Sequence, residues 1–266
     1  MSDKELSKDD LKDSSSAEIN AEPVEEKTAV SVVKICGMTE AQVRTGVSGM
    51  SFKDSVDHQF ESEDCGEVHI RLTGPKKAVK SAVKEIKAAF GINVFTSHEE
   101  KTLEDVVVEL LLANKLTVST VESLTGGLLA GRIINVPGVS DIYKAGFITY
   151  SNKAKRKLAG VSRKTIDKYG AVSEQTAKEM SKGSANLYKA DVVAAVTGNA
   201  GPDESEGKPV GLVYIGVNVA GKITTREYHF DGNRAQIREK TVTAALVLMR
   251  ECILEYYGKV TFGGDS

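Results

Sequence analysis

The pattern of apolar residues over positions 100–258 predicts an α/β unit. Apolar side chains recur every three or four residues between positions 103 and 111, which is the spacing of one buried helix face. Residues 190–197 are apolar almost throughout, which is typical of a central strand covered on both sides. These elements predict a mixed sheet flanked by helices. The other predicted strands are 116–121, 144–150, 210–219 and 222–230, and the other predicted helices are 126–135, 165–168, 174–188 and 234–256.

The pattern over residues 30–96 predicts a separate, small α+β module. Thr39 is suited to cap a helix over 40–47. Gly74-Pro75 opens a second helix whose apolar positions recur at helical spacing as far as Phe90. Gly91 fits the end of that helix. Strands are predicted over 30–36, 55–61 and 68–72.

Composition and charge narrow the class of protein. Residues 1–29 are rich in acidic residues and serine and nearly lack large apolar ones, so we expect a disordered acidic tail, and residues 259–266 a flexible one. The net charge of −2 and the absence of tryptophan argue against a nucleic-acid partner. No apolar run reaches membrane-spanning length, so a soluble, cytoplasmic protein without a membrane partner is expected. The three scattered cysteines, Cys36, Cys65 and Cys252, support neither disulfides nor a metal site.

The first candidate for chemistry is the segment VESLTGG at 121–127, where a strand gives way to a helix. Ser123 can be presented to a substrate there, and small residues allow close approach of a ligand to the backbone. Free N–H groups at a helix start also attract anions. The simpler alternative is a capping turn in which Ser123 or Thr125 is the N-cap, and this stretch alone favours that alternative.

The second candidate is TYSNKAK at 149–155, at the end of the next predicted strand. A serine hydroxyl is a weak nucleophile until a base takes its proton. A neutral lysine such as Lys155 can be that base if burial or a nearby cation lowers its pKa. The alternative is that Lys155 and its basic neighbours form a solvated helix face.

Two further loops follow strand ends, where α/β proteins place ligands. The glycines of VTGNAGP at 196–202 suit a loop close to a ligand, and KPVG at 208–211 follows. Arg234 of the DGNR segment can clamp a phosphate or carboxylate, or can be a plain surface arginine. GAVSE at 170–174 is interpreted as the start of a helix, with Ser173 as its cap.

Taken in order, ESxTGG, YSNxxK, GAVSE, TGxAGP, KPVG and GxR resemble the C-terminal domain of CinA proteins, the nicotinamide-nucleotide amidohydrolase family, over about residues 102–257. The resemblance implies hydrolysis of nicotinamide mononucleotide to nicotinate mononucleotide and ammonia by a Ser123–Lys155 dyad. It also implies no cofactor, no metal and a homo-oligomer, for which a dimer is expected. Tyr150 and Thr197 would assist proton transfer and positioning. The implied substrate-binding residues are Glu122, Thr125, Gly126, Gly127, Asn152, Gly198, Gly201 and Arg234. Whether the N–H groups around Gly126 and Gly127 serve the substrate phosphate or an oxyanion stays open.

The chain departs from the family pattern at Leu124, where cysteine is usual, and at Asn199, where an aliphatic residue is usual. The segment 203–207 is also short. The alternative is therefore a catalytically silent protein that binds the nucleotide as a regulatory sensor. Residues 30–96 resemble the KH-like module of CinA proteins, but residues 37–40 lack the GxxG clamp that RNA binding needs. The pyrophosphatase domain of full-length CinA proteins has no counterpart here, so its activity is not expected.

Overall fold

The computed structural model describes residues 28–63 and 66–258. The predicted flexible tail at 259–266 lies outside these residues, as does nearly all of the predicted acidic tail. Residues 28–29, which were assigned to that tail, instead begin the first strand, where Thr28 pairs with Pro75. The fold class is mixed α/β, as predicted, with two separate sheets.

The first sheet has four antiparallel strands in the order β2-β3-β1-β4. Two helices cover one face, and valine, isoleucine and phenylalanine side chains from helices and strands form a core of their own. The short fourth strand was not predicted, because three residues carry too little periodicity to identify a strand. The elements are β1 (Thr28–Cys36), α1 (Glu40–Ser48), β2 (Asp57–Glu63), β3 (Glu67–Pro75), α2 (Lys76–Phe90) and β4 (Val94–Thr96).

The second sheet has five strands in the order β6-β5-β7-β8-β9. The first three are parallel, and the last two continue the sheet in antiparallel fashion. The strands are β5 (Val118–Glu122), β6 (Tyr143–Ile148), β7 (Val192–Gly198), β8 (Leu212–Val219) and β9 (Lys222–His229). The helices are α3 (Leu103–Ala113), α4 (Leu128–Ile134), α5 (Asn152–Ala159), α6 (Arg163–Tyr169), α7 (Glu174–Tyr188) and α8 (Arg234–Tyr257).

Strand β7 lies at the centre of the sheet, as its apolar sequence predicts. Val192, Ala194 and Val196 pack in a core with α3, α4 and α8. Val193 and Ala195 point to the other face, where α7 contributes Met180. Because β5, β6 and β7 are parallel and β9 runs in the same direction, their carboxyl ends lie at one edge, and all four loops singled out in the sequence begin or lie there.

One helix boundary differs from the prediction, and one further helix was not predicted. The helix predicted from residue 126 begins at Leu128, because Gly126 and Gly127 adopt positive φ angles of 61° and 100°. The segment after Ser151 is a helix of its own, α5, with Lys155 and Ala159 on its buried face. The structure thus decides against a fully solvated face for Lys155.

The guanidinium of Arg250 on α8 joins the two sheets. It donates to the backbone oxygens of Ile92 at 2.6 Å and Val94 at 3.2 Å, in and just before β4. Arg132 on α4 adds ionic contacts to Glu67 of β3 and Glu104 of α3. The first sheet is therefore held against the α3, α4 and α8 side of the second. No helix in the described ranges is long and apolar enough to cross a membrane.

We expect Gly183→Ala on α7 to destabilise the protein, although alanine normally favours a helix over glycine by about 1 kcal/mol. An added Cβ at Gly183 would overlap the backbone carbonyl of Ala159 at the end of α5. We expect a cost of about 1–3 kcal/mol from this overpacking, measured by urea denaturation. The matched control is Gly131→Ala on α4, where nothing lies within 4 Å of the added carbon and stability should rise. Equal effects of the two substitutions would contradict this packing.

Candidate active site

Backbone hydrogen bonds tie the ends of the three parallel strands together. The N–H of Ser123, just after β5, donates to the carbonyl of Val196 in β7 at 3.0 Å. The N–H of Thr149, just after β6, donates to the carbonyl of Glu122 at 2.7 Å. The two loops that carry the serine and lysine motifs therefore start from a rigid edge.

Ser123 and Lys155 are in direct contact. The Nζ atom of Lys155 lies 2.9 Å from the Oγ atom of Ser123 and also donates to the carbonyl oxygen of Thr149 at 2.9 Å. Lys155 is 2% exposed and Ser123 is 7% exposed. Ser151 caps α5 by accepting the N–H of Ala154, which places Lys155 one turn into the helix and facing the sheet.

Burial changes the acid–base behaviour of this lysine. Loss of solvent around the ammonium lowers the pKa of Lys155 to about 8, and the negative charge of Glu206 opposes this effect. With this pKa about a tenth of the lysine is neutral at pH 7, and about half at pH 8. A neutral amine at 2.9 Å can accept the Ser123 proton, which is what a serine nucleophile requires.

Glu122 does not face the dyad, although the sequence analysis assigned it to substrate binding. Its carboxylate accepts the backbone N–H groups of Gly127 at 2.9 Å, Leu129 at 3.1 Å and Ala130 at 2.8 Å. These are unpaired donors at the start of α4, which a carboxylate satisfies well. Glu122 is thus the cap of α4 and fixes the turn that carries Ser123.

This cap also changes which N–H groups are available to a ligand. The N–H of Gly127 is bound by Glu122, and that of Gly126 donates to the carbonyl of Ser123 at 3.2 Å. Both groups that were expected to meet phosphate or an oxyanion therefore have acceptors inside the protein. Among residues 28–63 and 66–258, the N–H groups of Leu124 and Thr125 have none. Leu124 and Thr125 follow Ser123 directly in the chain.

Arg238 holds the other side of this turn, and the sequence analysis missed it. Its Nε and Nη2 atoms donate to the carbonyl oxygens of Leu124 at 3.0 Å and Thr125 at 2.9 Å. The position could have been found, because it lies one helical turn after Arg234 on the same face of α8. With their carbonyls bound to Arg238, the peptide planes after Ser123 are fixed.

Tyr150 and Arg234 lie together at the outer rim of the site. Arg234 donates from Nη2 to the Tyr150 hydroxyl at 3.0 Å and from Nη1 to the carbonyl of Gly201 at 2.7 Å. Tyr150 is 61% exposed, so it is open to a ligand. Asn152 is also exposed, on the first turn of α5.

Thr197 is in a different environment from that of Tyr150. It is buried, and its hydroxyl donates to the carbonyl of Ala171 at 2.7 Å rather than to either dyad residue. The hydroxyl of Thr125 is buried as well and has no hydrogen-bond partner among the described residues. A substrate group could supply that missing partner.

The two glycines of the TGxAGP loop are needed for close packing. A Cβ at Gly198 would lie 2.7 Å from the carbonyl oxygen of Leu212, and one at Gly201 would lie 2.8 Å from a methyl group of Val210. These positions therefore have a packing reason that is separate from the predicted contact with substrate. Both remain predicted substrate contacts at the rim.

Asn199 explains how the short loop 203–207 is held. Its Oδ1 atom accepts the N–H of Gly201 at 2.9 Å, while its amide donates to the carbonyls of Asp203 at 3.0 Å and Lys208 at 3.2 Å. An aliphatic side chain could form none of these bonds. Leu124, the other departure, packs in the main core and leaves the dyad unobstructed.

Residues 100–253 match the family described as the CinA C-terminal domain. The chain belongs to this CinA family. It is 45% identical over 192 residues to a competence-damage inducible protein of Clostridium novyi, covering 69% of this chain and 46% of that protein. It is 40% identical over 231 residues to one of Clostridium tetani, covering 84% and 56%. The chain thus spans about half the length of the curated relatives it matches.

Solved CinA structures agree with the fold of the second sheet and its helices. A CinA superfamily protein from Klebsiella pneumoniae is 31% identical with a TM-score of 0.56, covering 58% of this chain and 99% of that one. The competence/damage inducible protein CihA from Agrobacterium tumefaciens is 40% identical with a TM-score of 0.53, covering 55% and 91%. The predicted family resemblance is confirmed.

A separate cleft of about 340 Å³ lies between the first sheet's α1 and the CinA domain's β9 and α8. Met38, Tyr228 and Phe230 are among the residues that line it, and none of the predicted site residues does so. No cluster of three His, Cys, Asp or Glu residues able to hold a metal occurs within the described part of the chain.

We expect Glu122→Gln to destabilise the CinA domain by about 2–3 kcal/mol, because one amide oxygen replaces two carboxylate oxygens and an NH2 group then faces backbone donors. Urea denaturation measures the loss. Glu109→Gln is the control, since Glu109 forms a half-exposed ion pair with Lys101 and should cost less than about 1 kcal/mol. Similar losses at both positions would contradict the capping role.

We expect Lys155→Met to stabilise the protein near neutral pH while removing the amine that contacts Ser123. The folded-state pKa of Lys155 is about 8, below the usual 10.5, so below pH 8 the buried ammonium costs about 3 kcal/mol. This cost disappears as the pH rises from about 8 to 10.5, and loss of the hydrogen bond to Thr149 offsets part of the gain.

The measurement is the difference in unfolding free energy between Lys155→Met and the wild type at pH 7 and pH 10. The advantage of the variant should shrink at the higher pH. Lys153→Met, on the exposed side of the same helix, serves as the control and should show no such change. A pH-independent difference for Lys155→Met would argue against a depressed lysine pKa.

Proposed function

We propose that this protein hydrolyses the carboxamide of nicotinamide mononucleotide, releasing nicotinate mononucleotide and ammonia. The observation that carries the proposal is the buried 2.9 Å contact between Lys155 Nζ and Ser123 Oγ, with the lysine pKa lowered to about 8. The six sequence motifs that resemble nicotinamide-nucleotide amidohydrolases support the choice of substrate.

The first half of the reaction forms an acyl-enzyme. Neutral Lys155 accepts the Ser123 proton while Oγ attacks the carboxamide carbon. The N–H groups of Leu124 and Thr125 are the proposed donors to the oxyanion. The Thr125 N–H shares a peptide plane with the Leu124 carbonyl that Arg238 binds, and the Leu124 N–H shares one with the Ser123 carbonyl that accepts the N–H of Gly126. The protonated Lys155 then gives its proton to the departing nitrogen, and ammonia leaves as the ester to Ser123 forms.

The second half hydrolyses this ester. Lys155, again neutral, takes a proton from water as the water oxygen attacks the acyl carbon. The tetrahedral intermediate collapses, Lys155 returns the proton to Ser123 Oγ, and nicotinate mononucleotide is released. One carboxamide and one water thus yield one carboxylic acid and one ammonia, and Ser123 and Lys155 end as they began.

The rim residues suit a phosphorylated substrate. Arg234 is exposed and lies beside the Tyr150 hydroxyl, so a phosphate can approach its guanidinium from solvent. The buried Thr125 hydroxyl, which lacks a partner within the described residues, is a further proposed substrate contact. The proposed roles of Tyr150 and Thr197 are proton transfer and positioning, respectively, and the contact of Thr197 with Ala171 fits an indirect role.

The test is an ammonia-release assay on the purified chain with nicotinamide mononucleotide. We expect Ser123→Ala and Lys155→Ala to lower kcat by at least about 10³-fold, because each removes half of a unit that acts together. For the wild type, kcat/KM should rise with pH and level off above about 8, as Lys155 loses its proton.

Lys153→Ala is the matched control for the dyad, since Lys153 lies on the same helix but is exposed. Nicotinamide and nicotinamide riboside, which carry the same carboxamide without the phosphate, test the substrate assignment. Full activity in both dyad variants would disprove the mechanism. Tight nucleotide binding without turnover would instead favour the silent regulatory protein, for which Leu124 and Asn199 are the motivating departures.

A further inference from the structure

Glu206 lies in a strained backbone conformation at the tip of the short loop. Ser205 and Lys208 pair through two backbone hydrogen bonds of 3.2 and 2.9 Å, leaving Glu206 and Gly207 as the central residues of a two-residue turn. Their φ angles are +55° and +67°. Glycine, asparagine and aspartate favour such positions, whereas a glutamate there costs on the order of 1 kcal/mol. A retained strained residue near a site calls for a functional reason.

The carboxylate of Glu206 reaches back to the GAVSE segment. One of its oxygens accepts the N–H of Ala171 at 2.7 Å and, more weakly, that of Val172 at 3.4 Å. The carbonyl of Ala171 in turn accepts the hydroxyl of Thr197. Glu206 is therefore linked through Ala171 to the end of β7, where the carbonyl of Val196 binds the N–H of Ser123.

Glu206 also differs from other charged groups in its effect on Lys155. The carboxylate of Glu122 is bound by three N–H groups, and Glu179 on α7 is bound by Ser162 and Thr165. The other charged groups on the neighbouring elements include Lys153 and Arg156 on α5 and Arg234 and Arg238 on α8. The negative charge of Glu206 raises the pKa of Lys155, opposing the effect of burial.

We propose that Glu206 is a positioning residue for the Ser123–Lys155 dyad: its carboxylate holds residues 170–172 beside Thr197, at the end of the strand whose Val196 carbonyl binds the N–H of Ser123. Asn199 makes this possible by bracing the short loop from which Glu206 extends. The inference deepens the proposed function and rests on it for the identity of the substrate, but its geometry involves the dyad alone.

Two substitutions separate the hydrogen bond from the charge. Glu206→Gln keeps an oxygen that can accept the Ala171 N–H but removes the charge. Because that charge raises the pKa of Lys155, the acid limb of the kcat/KM profile should move to lower pH. The plateau should stay close to that of the wild type. Glu206→Gly removes both and also relieves the positive φ. Its plateau should fall several-fold without a loss of thermal stability, which a purely structural role would not produce.

Glu204→Gln is the matched control, because it removes the same charge from the same exposed loop and should leave the profile unchanged. Each protein is assayed for ammonia release and, separately, for the pH dependence of Ser123 labelling by an alkyl fluorophosphonate, with Ser123→Ala as the blank. The labelling reports on the dyad whether or not nicotinamide mononucleotide is the substrate.

The outcomes distinguish this inference from the proposed function. If the acid limb of labelling shifts in Glu206→Gln while the wild type releases no ammonia, the role of Glu206 is supported. Nicotinamide mononucleotide is then rejected as the substrate. Ammonia release with superimposable profiles for Glu206→Gln and the wild type would overturn the effect of the Glu206 charge on Lys155. Full plateau activity in Glu206→Gly would overturn its positioning of residues 170–172, and failure to label the wild type would overturn the dyad and this inference together.

Discussion

The burial of Lys155 against Ser123 is the constraint around which the rest of the site is organised. At neutral pH a lysine pKa near 8 corresponds to a cost of about 3 kcal/mol, which is a large part of the stability of an ordinary domain. The surrounding structure has to supply that free energy through packing elsewhere. It does so with a sheet whose central strand is buried on both faces and with a close contact between α5 and α7 at Gly183.

The turn that carries Ser123 is held from both sides by buried or half-buried charge. Glu122 satisfies the donors at the start of α4, and Arg238 satisfies the carbonyls of Leu124 and Thr125. The N–H groups of Leu124 and Thr125 have no acceptor within the described chain and lie directly after Ser123. Preorganised donors of this kind need no rearrangement as negative charge develops, which is why such turns suit acyl transfer.

Two of the departures from the family pattern, Asn199 and the short loop, compensate for one another, and Leu124 is accommodated separately in the core. A shorter loop after β7 would lose its shape without new contacts, and the polar Asn199 provides three hydrogen bonds where an aliphatic residue provides none. Leu124 replaces a smaller residue at a position that faces the core, so the change is absorbed by packing. Neither departure reaches the contact between Lys155 and Ser123.

Sequence patterns alone predicted the α/β unit, the small α+β module, the order of their main strands and helices, and the CinA resemblance, which in turn implied the pairing of Ser123 with Lys155. Hydrophobic periodicity and motif order are local properties of the chain, so they can be read without coordinates. The strand β4, the capping role of Glu122, the contacts of Arg238 and the reach of Glu206 could be decided only by the tertiary structure. Each depends on which groups the fold brings together from distant positions in the chain. The role of a buried side chain is then set by the partners it contacts.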